Sequence, residues 1–180
     1  NRELRESSVL LTNSKGIHAP PMADSALAMI LFFGRGLDFA VAGQSSHTWD
    51  TGPFYRADHP LTEISESTVG VFGFGGIGRE VARRVLALGG KVLAFDRGPE
   101  AFEDRGRMSP GPDVSLTAPG LETLHGREGF LRLLAESDFL VLSAPDTPDT
   151  RGALDARALG RMPSSAVTTM LDSQSWMRPA

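Results

Sequence analysis

Six consecutive residues, Gly73-Phe74-Gly75-Gly76-Ile77-Gly78, carry the spacing G-x-G-x-x-G, and an acid, Asp96, stands eighteen residues beyond the last of them. The chemistry this pattern offers is recognition of a diphosphate. Backbone without side chains lets N–H groups approach an anion closely, and the positive end of a helix dipole stabilises its charge. Gly73 would allow the tight turn, Gly75 would let the backbone meet a pyrophosphate, and Gly78 would let the helix lie close on its strand, with Gly76 and Ile77 in the same contacting stretch. Asp96 can accept hydrogen bonds from ribose hydroxyls, so the pattern points to a dinucleotide. A carboxylate there repels a 2′-phosphate and favours NAD, while Arg97 beside it could pair with that phosphate and leaves NADP open. The competing reading is a glycine-rich strand–helix turn in an unrelated α/β protein.

Such a loop works only if a strand delivers it and a helix carries it away. Val69-Gly70-Val71-Phe72-Gly73 is apolar without alternation, as strands buried in parallel sheets are. Ile77 to Leu88 sets Val81, Val85 and Leu88 on one face with Arg79, Arg83 and Arg84 mostly elsewhere, an amphipathic helix ended by Gly89-Gly90. Lys91 to Phe95 is the next strand and Asp96 closes it. Arg97 to Gly120 reads as loop, Glu128 to Ala135 as helix and Phe139 to Ser143 as a third strand. Asp155 to Arg161 reads as a short helix and Ala166 to Met170 as a fourth strand. Upstream, Val9 to Thr12 predicts a short strand and Asn13 to Gly16 a turn. Pro20 and Pro21 then open a long helix reaching about residue 42, weakened mid-way by Gly34 and Gly36. Gly43 to Ser67 reads as a polar connector. Strands alternating with helices imply right-handed crossovers: the α/β class, with a doubly wound, Rossmann-type parallel sheet.

Composition removes other chemistries. Lys plus Arg is 18 against 22 Asp plus Glu, a formal charge of −4, which argues against a nucleic-acid surface or a polybasic membrane anchor. With no Cys there is no disulfide, thiolate metal site or thiol nucleophile, and the chain fits a reducing cytoplasm. The longest apolar run, Ala26 to Phe33, is about half of the ~20 residues a membrane span needs. Gly89-Gly90-Lys91 is followed by Val92, so no Walker loop is present, and there is no G-x-S-x-G elbow. His47, Asp50 and His59 match no metal spacing and read as solvated loop. His18 and His125 read as surface or helix-start residues, and Phe32, Phe33 and Phe39 as core or interface.

On these residues the sequence resembles the D-isomer-specific 2-hydroxyacid dehydrogenases, the family that includes phosphoglycerate dehydrogenases and glyoxylate/hydroxypyruvate reductases. The likeness runs from Asn13 to about Val167: Thr12 to Ala19, Met22 to Arg35 with Trp49, the Gly73 to Gly78 loop, Asp96-Arg97, and Ser137-Asp138-Phe139 leading to Ala144-Pro145-Asp146-Thr147-Pro148-Asp149-Thr150-Arg151-Gly152. Two departures stand out. Asp24 replaces the family's usual Glu, and Gly76 stands where Arg or His often precedes the Ile.

The resemblance implies hydride transfer between C2 of a small 2-hydroxy or 2-keto acid and nicotinamide C4 of NAD or NADP, and pairing of two copies through their cofactor domains. It implies that residues 1–15 are a remnant of a substrate domain. Residues 16–180 would be an incomplete NAD(P)-binding domain, truncated at its C-terminal side, with a crossover helix at about 20–42. Ala144, Pro145 and Thr150 follow as candidate coenzyme contacts, because that strand end borders the cofactor in relatives. None of the family's catalytic Arg, Glu and His can be placed: the Arg position falls on Ser173, and the other two should lie beyond Ala180. The opening on Asn1 rather than Met fits a piece of a longer protein, one that binds coenzyme weakly and turns nothing over. From Thr168 the match stops, which a shifted reading frame or a divergent C-terminus would each explain. A non-catalytic dinucleotide-binding scaffold of corepressor type, or an inactive gene fragment, remains the alternative function.

Overall fold

The computed structural model describes residues 2–10, 16–55, 61–98 and 114–171. Five strands, β1 (Thr68–Phe72), β2 (Lys91–Phe95), β3 (Leu121–Leu124), β4 (Phe139–Leu142) and β5 (Val167–Met170), form one sheet in the order β3-β2-β1-β4-β5, with every pairing parallel. Chain order reverses between β1 and β4, and the glycine loop leaves β1 at that switch point, where α/β sheets bind their ligands. The helices are α1 (Arg2–Arg5), α2 (Ala19–Gly34), α3 (Leu37–Ser45), α4 (Gly76–Ala87), α5 (Gly126–Glu136) and α6 (Ala156–Leu159), of which α2, α4, α5 and α6 pack on the sheet.

Both faces of the sheet are covered, as the non-alternating strands require. On one face Val69, Val71, Val92, Ala94 and Val141 pack with Ala23, Ala26 and Ile30 of α2 and Val81, Ala82 and Val85 of α4. On the other, Phe72, Leu93, Leu140 and Leu142 pack with Leu133 and Leu134 of α5 and Ala158 of α6. Asp155 caps α6, its Oδ1 accepting from Ala158 N at 2.8 Å. An ion-pair network ties α2 to α4: Arg84 Nε reaches Asp24 Oδ1 at 2.6 Å, Nη1 holds the carboxylate and carbonyl of Glu80, and Nη2 donates to Pro20 O at 3.4 Å. Burial alone would push the Glu80 carboxyl up. The hydrogen bonds from Arg84 and Arg83 outweigh it and hold Glu80 below the ordinary carboxylate value, while Arg84 is raised despite its own burial.

Four expectations change. The long helix to residue 42 is two helices bent by 75°, because Gly36 takes φ +64 and starts α3 in the left-handed region. A fifth strand, β3, follows the expected loop; it is short, lies at the sheet edge and leaves Glu122 exposed, so little apolar pattern marks it. The β4 ladder ends at Leu142, one residue before Ser143. Val9 and Leu10 lie in no strand and are exposed, and residues 11–15 are outside the described residues. No single described helix is long and apolar enough to cross a membrane.

Candidate functional site

The β1 strand ends in the glycine loop, and neighbouring backbone fixes the loop's shape. Gly73 sits at φ +100, and a Cβ there would meet Ala144 N at 2.5 Å. A Cβ on Gly78 would meet Gly73 O at 2.3 Å and Val71 Cγ1 at 2.9 Å, so only glycine lets α4 settle this close to the turn. Phe74, between them, is fully buried and turns its side chain into the α2–α4 core with the Arg79 guanidinium 5.5 Å from its ring. Burying that ring contributes about 2–3 kcal/mol and takes the side chain away from the loop's mouth.

The α4 helix starts on Gly75 with no side-chain cap. Its first intrahelical bond runs from Arg79 N to Gly75 O (3.0 Å), so the amides of Gly76, Ile77 and Gly78 form an uncapped first turn at the positive end of the dipole. Gly75, Gly76 and Ile77 are half-buried. These residues fit a diphosphate: the turn is as tight as glycine at positions 73 and 78 allows, and its donors are backbone N–H groups.

Asp96 lies at the end of β2, is 5% exposed and faces the loop. Its Oδ2 accepts from Phe74 N at 2.9 Å and its Oδ1 from Arg97 N at 2.8 Å. A carboxylate oxygen can also accept from ribose hydroxyls. The Arg97 side chain is exposed. Across the loop, Ala144 is buried against Gly73 and Pro145 is exposed. Thr150, a candidate contact by the family resemblance, stands further along the same loop. It is buried and folds back on its own loop, its Oγ1 donating to Pro145 O (2.7 Å) and accepting from Thr147 N (2.9 Å). Sequence reading passed over Ser143, whose Oγ donates to Gly73 O at 2.7 Å. The one available signal was a small hydroxyl at the end of an apolar strand.

His18 and His125 occupy the N-cap positions of α2 and α5, and His47 and Asp50 are exposed. His59 and Ser173 lie outside the described residues. Among the described residues no group of three or more His, Asp or Glu could hold a metal ion.

The model of the D-isomer specific 2-hydroxyacid dehydrogenase NAD binding domain matches residues 27–169, which take in the second half of α2, all of α3, the loop, Asp96 and the Ala144 loop. The chain belongs to this family. D-3-phosphoglycerate dehydrogenase of Mycobacterium tuberculosis is 35% identical over 153 residues, 85% of this chain and 25% of that protein. Hydroxypyruvate reductase of Thermotoga maritima is 26% identical over 166 residues, 92% of this chain and 46% of that protein. A D-isomer specific 2-hydroxyacid dehydrogenase from Xanthobacter autotrophicus Py2, solved in complex with NADPH and MES, superposes with TM-score 0.66 at 25% identity, covering 91% of this chain and 59% of that one. The chain therefore spans about a quarter to a half of the length of these curated relatives. Within the family it is a dinucleotide-binding Rossmann domain.

Proposed function

We propose that this chain is the coenzyme-binding part of an oxidoreductase that moves a hydride between a small 2-hydroxy or 2-keto acid and NAD. The observation that carries the reading is the Gly73–Gly78 cradle facing Asp96 at the sheet's switch point. Gly75, Gly76, Ile77 and Gly78 hold the diphosphate, and the Asp96 carboxylate accepts from the adenosine ribose hydroxyls. Ala144 and Pro145 border the coenzyme from the β4 side, and Thr150 shapes that border by bonding Pro145 O. NAD, when bound, supplies the hydride-accepting carbon; the residues described bind and orient it. The exposed Arg97 leaves NADPH as the weaker ligand. Hydride transfer needs the family's Arg, Glu and His, so this chain alone binds coenzyme without turnover.

Two copies pair through the apolar side chains left exposed on α2, on α3 and on the segment that follows α3, Met29, Leu37, Val41, Trp49 and Tyr55. The cytoplasm is the compartment that a chain without Cys fits. Titration of the 180-residue chain with NADH and NADPH, followed by nicotinamide fluorescence, tests the coenzyme reading. Saturable binding with NADH tighter is expected. Absence of binding by both, in a chain whose circular dichroism shows the mixed fold, overturns it.

A further inference from the structure

The carbonyl of Gly73 and the N–H of Phe74 belong to one peptide plane, and each end of that plane is held from a different strand. Ser143 Oγ, just past β4, donates to Gly73 O at 2.7 Å. Asp96 Oδ2, just past β2, accepts from Phe74 N at 2.9 Å. The backbone repeats the arrangement on both flanks, with Gly73 N donating to Phe95 O (2.9 Å) and Ser143 N to Phe72 O (3.0 Å).

We infer that Ser143 is a positioning residue for the coenzyme site, the β4 half of a clamp that fixes the orientation of the Gly73–Phe74 peptide. The inference rests on the dinucleotide reading and adds a residue to it. Gly73, at φ +100, has the backbone freedom to let this peptide turn over. A flipped peptide would aim its carbonyl at the Asp96 carboxylate and its N–H at Ser143. Two acceptors would then face each other beside a site built for an anion, and Asp96 would lose its bond from Phe74 N. The oxygen held by Ser143 is also the atom that a Cβ at Gly78 would strike at 2.3 Å. Its position therefore sets how near α4, with its three uncapped first-turn amides, can come to the diphosphate. Asp96 cannot isolate this effect by mutation, because it also faces the ribose. Ser143 acts on the peptide alone.

The test compares Ser143→Ala and Ser143→Thr with the unaltered chain, measuring NADH affinity together with amide hydrogen exchange at Phe74. Losing a net hydrogen bond predicts that S143A binds NADH about three- to tenfold more weakly. Exchange at the Phe74 amide should accelerate in S143A, and S143T, which restores the hydroxyl, should return both readouts to near the original. Unchanged Phe74 protection in S143A overturns the clamp whatever the affinity does. Accelerated exchange with unchanged NADH affinity overturns the positioning role. If the unaltered chain binds no NADH, the dinucleotide reading fails and the positioning role with it, while the exchange data still report whether the peptide is clamped.

Discussion

The β1–loop–α4–β2 unit and the arm running from α3 to Tyr55 are both rich in apolar side chains, and only the first encloses them. Val69, Val71, Phe74, Val81, Val85 and Val92 are 0% exposed, whereas α3 has no buried residue and Trp49 is 94% exposed. The difference begins in the backbone. Register pairing of Thr68–Phe72 with Lys91–Phe95 satisfies the main-chain polar groups, so side chains can be buried on both faces at little cost. In the arm the polar backbone is met locally, by bonds such as Thr48 N to Gly43 O and Gly52 N to Asp50 Oδ1, which close small loops and leave Trp49 and Tyr55 outside. The core unit specifies a site by exclusion, while the arm leaves an apolar surface open.

The sharpest way to break the comparison is with two glycines in left-handed or crowded places. Gly73→Ala and Gly78→Ala each drive a Cβ into backbone, at 2.5 Å from Ala144 N and 2.3 Å from Gly73 O. Each should cost about 3 kcal/mol or more and abolish NADH binding. Gly152→Ala, at φ +70 with nothing within 4 Å, tests backbone strain alone and should cost about 1 kcal/mol with binding retained. Urea unfolding of the three variants decides the matter; equal losses at positions 73 and 152 would show that the close approach is unimportant.

A smaller effect probes how the crossover helix is held on α4. Replacing Arg84 with Met leaves the largely buried Glu80 without its main partner and should cost about 2 kcal/mol. The pH dependence has a definite sign. Because the folded-state pKa of Glu80 lies below its ordinary 4.5, its contribution is complete above pH 4.5. It is lost as pH falls through the lowered folded value. The stability difference between the unaltered chain and Glu80→Gln should therefore be constant near neutrality and shrink below pH 4.5. A difference that grows on acidification would contradict the network.

What could be read from residues alone follows the same division. The loop, β1, α4, β2 and Asp96 were legible because each local signal agrees with the next: apolar run, glycine spacing, helical period, acid at a strand end. The edge strand β3 was not legible, since Leu-Glu-Thr-Leu is four residues long with half its side chains outside the core. The 75° bend between α2 and α3 hides because Gly34 and Gly36 are compatible with a weakened straight helix, and the apolar spacing continues across them. Ser143 was not legible beside Thr150, for a tertiary reason. The Thr hydroxyl satisfies its own loop, whereas Ser143 reaches Gly73, seventy positions away in sequence. No spacing rule reports a bond of that separation.

The smallest folding effect belongs to the arm and sharpens the comparison most. Trp49 is almost wholly exposed, so Trp49→Ala removes no enclosed contact and should change the unfolding free energy of the chain by less than about 0.5 kcal/mol. If the arm is where two copies meet, the same variant must weaken association, because an exposed indole becomes buried only in the pair and large aromatic anchors dominate such surfaces. Sedimentation velocity over a concentration series separates the two. A shift toward monomer with unchanged urea midpoints at low concentration marks the arm as an assembly surface. An unchanged sedimentation profile would remove the arm from the pairing reading and leave the coenzyme unit untouched, since none of the bonds that hold the Gly73 turn involves a residue of the arm.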